Sequence, residues 1–133
     1  MAKNLLFIYG TLLQTGNKYA EYLKERSVRI GSGCFKGYLY DIGNYPGAVH
    51  DPAAESVVCG TVVAISDPEV WPVLDQYEMI SEIPDPSDEY VRKIVNICTA
   101  TGDMECWVYL YNWPVDKHVF ISDGDYLSYK ASN

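Results

Sequence analysis

The stretch Leu5-Leu6-Phe7-Ile8-Tyr9-Gly10-Thr11-Leu12 sets the frame for the rest of the chain. Its consecutive apolar residues predict a buried β-strand that begins almost at the N-terminus. Gly10 then allows the backbone to turn tightly and lets a ligand approach the main chain. Amide N–H groups beside a strand end form a concavity that suits a carboxylate or another small anion. On this local pattern alone, a plain turn is the more common structure.

The length predicts a single domain that spans residues 1–133, and the clustering of predicted strands along the chain predicts an α+β fold. The chain is 48% hydrophobic and 21% charged, as in ordinary globular proteins. It has no internal repeat, low-complexity tract or linker. The net charge of −8 argues against nucleic acid and against anionic membranes as partners, but not against a small anionic ligand.

The four cysteines, Cys34, Cys59, Cys98 and Cys106, form no CxxC or CxxxH spacing, so no metal or haem site is expected. All four lie in predicted strands, and we interpret them as reduced core thiols, with Cys98 and Cys106 facing each other across a hairpin. The first apolar run is too short for a signal peptide or a membrane span. We therefore expect a cytoplasmic protein.

The remaining pattern predicts five to seven strands in clusters and two short helices. A glycine-broken strand at 28–40 is typical of a strand that bends into a small barrel. We expect a mixed, mostly antiparallel, barrel-like sheet with both helices outside it. The predicted strands are 4–9, 28–40, 57–65, 89–98 and 104–112, with weaker ones at 48–50 and 118–122; the helices are 17–26 and 71–77, and the tail from Tyr126 is expected to be loose.

Three further motifs follow the first in a fixed order. They are Gly43-Asn44-Tyr45-Pro46-Gly47, then Leu74-Asp75-Gln76-Tyr77-Glu78 at a helix end, then Tyr90-Val91-Arg92 at the start of a strand. Together with the tetrapeptide from Tyr9, this set resembles the gamma-glutamyl cyclotransferase superfamily, particularly its gamma-glutamylamine cyclotransferase-like branch. The resemblance covers about residues 4–112 and implies a barrel-like core with a cavity at one end.

The resemblance also implies a reaction. The substrate's α-amine attacks its own γ-carbonyl, a 5-oxoproline ring closes and an amine leaves. The protein would then be an enzyme of the amidine-lyase or acyl-transfer type. Because the nucleophile is already tethered, the protein has to fold the substrate, move protons and stabilise an oxyanion. No metal or cofactor is needed for that chemistry.

Glu78 is the candidate for the acid and base. A carboxyl at the end of an apolar helix is partly desolvated, which raises its pKa toward the range useful for proton transfer. By local pattern, a surface glutamate at a helix end fits as well. The resemblance implies catalysis, because the family's catalytic glutamate falls at this position. Asp75 and Glu82 are alternative carboxylates. Met79 stands where the family usually has glycine.

The resemblance assigns the remaining site residues to substrate binding. The amides of the first motif and the Thr11 hydroxyl would hold the α-carboxylate or the oxyanion, and the second motif would shape the pocket. The Tyr90 hydroxyl would point at Glu78 or the substrate. Arg92 would pair either with a substrate carboxylate or with an internal acid. The residues expected to bind substrate are Tyr9, Gly10, Thr11, Leu12, Tyr45, Pro46, Tyr90 and Arg92.

Two other functions remain open at the level of sequence. Met79 motivates a non-catalytic module that holds a small ligand on the same fold. The acidic loop at 81–88 is a lid, a passive connection or an adaptor surface for another protein. The sequence does not name the amine that is released or the oligomeric state.

Overall fold

A computed structural model describes residues 4–10, 12, 17–43, 45–78 and 85–132. Seven strands and three short helices make up this part of the chain. The elements in chain order are β1 (Leu5–Ile8), α1 (Lys18–Glu25), β2 (Ser27–Asp41), β3 (Pro46–His50), β4 (Val57–Ile65), α2 (Val70–Tyr77), β5 (Tyr90–Thr99), β6 (Gly102–Tyr111), β7 (Val119–Phe120) and α3 (Tyr126–Ser132).

Five strands close into a barrel in the order β2-β4-β1-β6-β5, and a β2–β5 pairing completes the ring. The pairing of β1 with β6 is parallel, through Leu6 and Trp107, and the other described pairings are antiparallel. The far end of β2 extends beyond the ring and pairs with β3 and β7. The predicted α+β fold with a mixed, mostly antiparallel barrel is confirmed.

The glycine-broken strand β2 makes this closure possible. It is 15 residues long and pairs in turn with β4, β5, β3 and β7. Its register against β4 shifts between Arg29 and Gly31, and this bulge bends the strand as the sequence analysis expects. At Gly33 a Cβ would lie 2.6 Å from the Ile97 side chain, so the strand can cross close to β5 only because glycine stands there.

The apolar run of β1 is explained by burial on both faces. Phe7 packs inside the barrel, whereas Leu6 and Ile8 pack on its outer face under the helices with Leu23 and Leu74. All five of these side chains are buried. A strand covered on both faces has no polar side to alternate with, which is why this stretch is continuously hydrophobic.

The two predicted helices are present. Asn17 caps α1, and its side chain accepts hydrogen bonds from the N–H groups of Tyr19 and Ala20. Pro72 is accommodated in the first turn of α2. The N-cap residue of α2 is Glu69, which makes no side-chain capping bond. No helix of the described segments is long and apolar enough to cross a membrane.

The C-terminal segment differs from its prediction. The tail predicted to be loose forms α3, and Tyr126 at its start is fully buried. The Tyr129 hydroxyl donates a hydrogen bond of 2.8 Å to Asp41 on β2. Asp125 accepts from the N–H of Ser128, as a residue that caps a helix does. The sequence therefore contains a helix-capping residue at Asp125, but the helix that follows it is only seven residues long and has a weak pattern of its own.

The β5–β6 hairpin corrects the prediction for two cysteines. It turns through Ala100 and Thr101, with Gly102 at a positive φ of +122°, a conformation that glycine adopts readily. The resulting register places Cys98 opposite Asp103, so that Cys98 and Cys106 do not face each other. Cys98 is exposed rather than in the core, whereas Cys106 is buried.

Cys34 and Cys59 instead occupy facing positions on β2 and β4. Both are partly buried and neither forms a disulfide. Burial, followed by a hydrogen bond with Cys34, raises the pKa of the Cys59 thiol to about 12. This thiol therefore stays protonated and a poor nucleophile at neutral pH.

Candidate active site

A cavity of about 190 Å³ opens at one end of the barrel. Here β1 and β6 end, β3 and β5 begin, and α2 presents its C-terminus. Most of its walls are aromatic or aliphatic. The described lining residues are Phe7, Ile8, Tyr9, Gly10, Leu12, Tyr45, Pro46, Tyr77, Glu78, Glu89, Tyr90 and Tyr109.

The first two sequence motifs meet directly in this cavity. A Cβ added to Gly10 would lie 2.6 Å from Cγ of Pro46, so the two loops touch at a point where only glycine fits. Within the described residues, the N–H of Gly10 has no hydrogen-bond acceptor, which leaves a donor beside the cavity. Leu12 is buried in the wall. Thr11 lies outside the described residues.

The Tyr9 side chain joins the loops to the barrel. Its hydroxyl donates to the carbonyl oxygen of Tyr109 at 2.5 Å and accepts from the N–H of Ala48 at 3.3 Å. Burial, followed by the negative charge of Glu78, raises the pKa of Tyr9 far above its usual value. The Tyr9 phenol is therefore a neutral part of the wall.

Glu78 is the C-cap residue of α2, and its N–H donates to the carbonyl oxygen of Leu74 at 2.9 Å. The residue is partly buried, and its carboxylate accepts no hydrogen bond from the described part of the chain. Desolvation, followed by repulsion from Glu89 and then from Asp75, raises the pKa of Glu78 to about 8. A carboxyl with that pKa can both accept and donate a proton near neutral pH.

Asp75, the first alternative carboxylate, is already occupied. Its Oδ1 accepts from Nε of Arg92 at 3.0 Å and from the Tyr109 hydroxyl at 2.6 Å, and its Oδ2 accepts from Nη2 of Arg92 at 3.2 Å. Glu82, the second alternative, and Met79 both lie outside the described residues. Of the two of these carboxylates that the structure describes, Asp75 and Glu78, it is Glu78 that lines the cavity without a described hydrogen-bond partner.

Arg92 does not belong to the described lining of the cavity. Besides its two bonds to Asp75, its guanidinium lies 4.7 Å from the ring centres of both Trp71 and Trp107. Of the two roles left open for Arg92, the internal pair with an acid is the one found here. This pair joins α2 to β5 and so fixes the helix that carries Glu78.

Tyr90 and Tyr45 tie the second motif to the start of β5. The buried Tyr90 hydroxyl donates to the carbonyl oxygen of Pro46 at 2.6 Å, so it is directed at this loop. The Tyr45 hydroxyl donates to Oε2 of Glu89 at 2.6 Å. This bond to Glu89 is the largest cause that raises the pKa of Tyr45 to about 12. Together the two bonds bridge opposite sides of the cavity mouth.

Five of the described lining residues were not predicted as site residues from the sequence: Phe7, Ile8, Tyr77, Glu89 and Tyr109. Glu89 stands directly before the fourth motif, Tyr90-Val91-Arg92, and its place beside Tyr90 at the start of a strand was the signal that could have identified it. Tyr109 and Tyr111 alternate along one face of β6, a pattern that is typical of sheet packing. Tyr109 lines the cavity instead, whereas the Tyr111 ring packs edge-on against Tyr90 and fills the space beside Gly47.

The chain is similar to known proteins along most of its length. Residues 6–128 match the model of the family described as gamma-glutamyl cyclotransferase, AIG2-like. The chain is 28% identical over 124 residues to the gamma-glutamylcyclotransferase family protein YtfP of Escherichia coli, covering 92% of this chain and 95% of that protein. It is 28% identical over 125 residues to a putative gamma-glutamylcyclotransferase of Vibrio cholerae, covering 93% and 96%.

Solved structures show the same fold. The solution structure of YtfP from Escherichia coli superposes with a TM-score of 0.66 at 29% identity, covering 95% of this chain and 98% of that one. The crystal structure of YkqA from Bacillus subtilis gives a TM-score of 0.74 at 26% identity, covering 97% of this chain and 41% of that one.

Proposed function

This chain belongs to the gamma-glutamyl cyclotransferase, AIG2-like family, and from that premise we propose that it releases 5-oxoproline and a free amine from a gamma-glutamyl amine or peptide. The observation that carries the proposal is the position of Glu78. Its carboxyl faces a mostly apolar cavity that the first two motifs close from the other side, and its pKa is raised to about 8.

Glu78 serves as both base and acid in this reaction. It takes a proton from the substrate's α-ammonium group, and the freed amine attacks the γ-carbonyl carbon. The new bond between nitrogen and the γ-carbon closes the five-membered ring. Glu78 passes this proton to the leaving nitrogen as the bond to that nitrogen breaks. The second proton, which the ring nitrogen loses on becoming an amide, goes through Glu78 to the released amine, which leaves as an ammonium ion. Each proton taken is given back, so the reaction requires no cofactor.

The loop from Tyr9 to Leu12 supplies the anion site. The N–H of Gly10, which has no acceptor among the described residues, supports this role, since a backbone donor next to the cavity binds the α-carboxylate or the oxyanion that forms at the γ-carbonyl. The Thr11 hydroxyl is proposed as a further donor. Tyr45, Pro46 and Tyr90 form the opposite wall and confine the substrate so that its amine lies near its own carbonyl.

The test is 5-oxoproline release, followed by mass spectrometry, from a panel of gamma-glutamyl amines and dipeptides. Wild type should give product, and Glu78→Gln should reduce the rate by a factor of about 10² or more, as expected for the loss of a general acid–base. Glu69→Gln is the matched control, because Glu69 is exposed at the other end of α2. Its rate should stay at the wild-type value.

The result also decides between the proposed reaction and the alternative function. If the wild type gives no product from any compound yet still binds one of them, the protein is a small-ligand binding module on the cyclotransferase fold. If Glu78→Gln keeps the wild-type rate, another group is the acid and base. A cytoplasmic location is part of the proposal and is tested separately by cell fractionation.

A further inference from the structure

A second carboxylate, Glu89, lines the cavity beside Glu78. It stands immediately before β5 and is partly buried. Its Oε2 accepts the Tyr45 hydroxyl at 2.6 Å, whereas its Oε1 accepts no hydrogen bond from any described residue. One oxygen is therefore fixed by the opposite loop, and the other keeps its capacity to bind a donor.

The charges around the cavity are unbalanced. Its described lining contains the two carboxylates and no lysine, arginine or histidine. Arg92, the nearby cation on β5, is paired with Asp75. Negative charge in an apolar cavity is costly unless a cation compensates it, so the site is built to receive a positively charged group.

A γ-glutamyl compound supplies such a group in every case. Whatever amine it releases, it carries an α-ammonium with three N–H donors. We propose that Glu89 binds this α-ammonium group and is thereby the residue that makes a free α-amino group a requirement for recognition. The inference rests on the proposed function for the identity of the ligand, and it assigns to Glu89 a binding role distinct from the proton transfer of Glu78.

The pair of carboxylates also links binding to proton transfer. Repulsion from Glu89 is the second largest cause that raises the pKa of Glu78. A cation bound at Glu89 cancels that repulsion, so that Glu78 releases its proton once the substrate is in place. The ionisable groups that face the two carboxylates are Asp75 on α2, Tyr9 after β1, Tyr45 before β3, Tyr90 on β5, and Tyr109 and Tyr111 on β6.

The test separates binding from turnover. In a Glu78→Gln background, calorimetry compares γ-L-glutamyl ethylamide with N-ethylglutaramate, the same molecule without its α-amino group. We expect the amino compound to bind about 10- to 100-fold more tightly, as for a hydrogen bond between charged groups. Adding Glu89→Gln should reduce this preference to about threefold or less.

Two further variants serve as controls. Glu105→Gln removes the same charge from an exposed position on β6 and should keep the full preference. Tyr45→Phe removes the bond to Glu89 but leaves the carboxylate, so the preference should persist. If Tyr45→Phe abolishes the preference as completely as Glu89→Gln does, Glu89 is only a structural latch and the inference is wrong.

Other outcomes are equally decisive. A preference that survives Glu89→Gln, or an amino compound that binds no better than its analogue, overturns the inference. The inference is also overturned if γ-L-glutamyl ethylamide does not bind at millimolar concentration, because the proposed recognition depends only on the glutamyl group that this compound carries. A Glu89-dependent preference in a protein whose wild type makes no 5-oxoproline would refute the proposed function and leave the ammonium site standing. If the wild type forms 5-oxoproline but shows no Glu89-dependent preference, the inference about Glu89 is refuted and the proposed function stands.

Discussion

Gly10 and Pro46 lie so close together that a single methyl group on Gly10 would come within 2.6 Å of the proline ring. The two residues belong to loops that are more than thirty positions apart in the chain. Their contact places Gly10 in the lining of the same cavity as Glu78. The spacing between these loops is therefore set by the absence of a side chain.

Gly10→Ala should push the two loops apart. Overpacking at a tight contact costs about 1–3 kcal/mol of unfolding free energy, and we expect the rate of 5-oxoproline release to fall more steeply than stability does. Gly31→Ala is the control, because a Cβ there meets nothing within 4 Å and its φ is ordinary. Urea unfolding and product release measure both effects. If Gly10→Ala and Gly31→Ala have the same unfolding free energy and the same rate of product release, the contact between Gly10 and Pro46 does not set the spacing of the loops.

The Arg92–Asp75 pair should stabilise α2 against β5. Arg92→Lys keeps the positive charge but loses the forked pair of hydrogen bonds and the contact with two indole rings. We expect the free energy of unfolding measured in urea to fall by about 1–3 kcal/mol. Product release should also be slower, because Glu78 is the C-cap residue of the helix that carries Asp75. The exposed neighbour Lys93 provides the control variant Lys93→Met. Wild-type stability of Arg92→Lys would show that the pair does not hold the helix.

Glu78 should destabilise the folded protein as pH rises. Its folded pKa of about 8 lies above the value of 4.5 for an exposed glutamate, so between these values the folded state binds more protons than the unfolded state. Stability therefore falls as pH rises through this window. Glu78→Gln removes the effect and should be more stable than wild type by about 2 kcal/mol or more near pH 9, with little difference near pH 4.

Thermal unfolding at several pH values checks this expectation, with Glu69→Gln as the control. A difference between Glu78→Gln and wild type that does not change with pH would mean that the Glu78 carboxyl is not desolvated. A difference that grows toward acid would have the wrong sign for a raised pKa.

The rate of the reaction should follow the ionisation of Glu78. Because the base form is required, kcat/KM should rise with pH, with a midpoint near the pKa of about 8. Glu89→Gln removes the neighbouring negative charge and should move this midpoint to lower pH, whereas Glu105→Gln should not. Ionisation of the substrate amine is the same for all three proteins, so the shift isolates the effect on Glu78. An unmoved midpoint in Glu89→Gln would contradict the coupling of the two carboxylates.

Much of the fold was predictable because it depends on local pattern. The two-sided burial of β1, the bend in β2 and the positive φ at Gly102 each follow from the residue types present. The tail was mispredicted because α3 is short and is held by Tyr126 and Tyr129 against distant strands. Its stability comes from contacts that no local pattern contains.

The sequence by itself determined the class of fold, the order of the motifs and the position of Glu78 at a helix end. Those properties depend on residue types a few positions apart, where hydrophobic periodicity and glycine placement act. Only the tertiary structure decided that Arg92 pairs with Asp75, and that Glu89 joins Glu78 in one cavity. Charges are balanced in space rather than along the chain, so a carboxylate's partner and its pKa are set by barrel closure and by the loops that meet at its mouth.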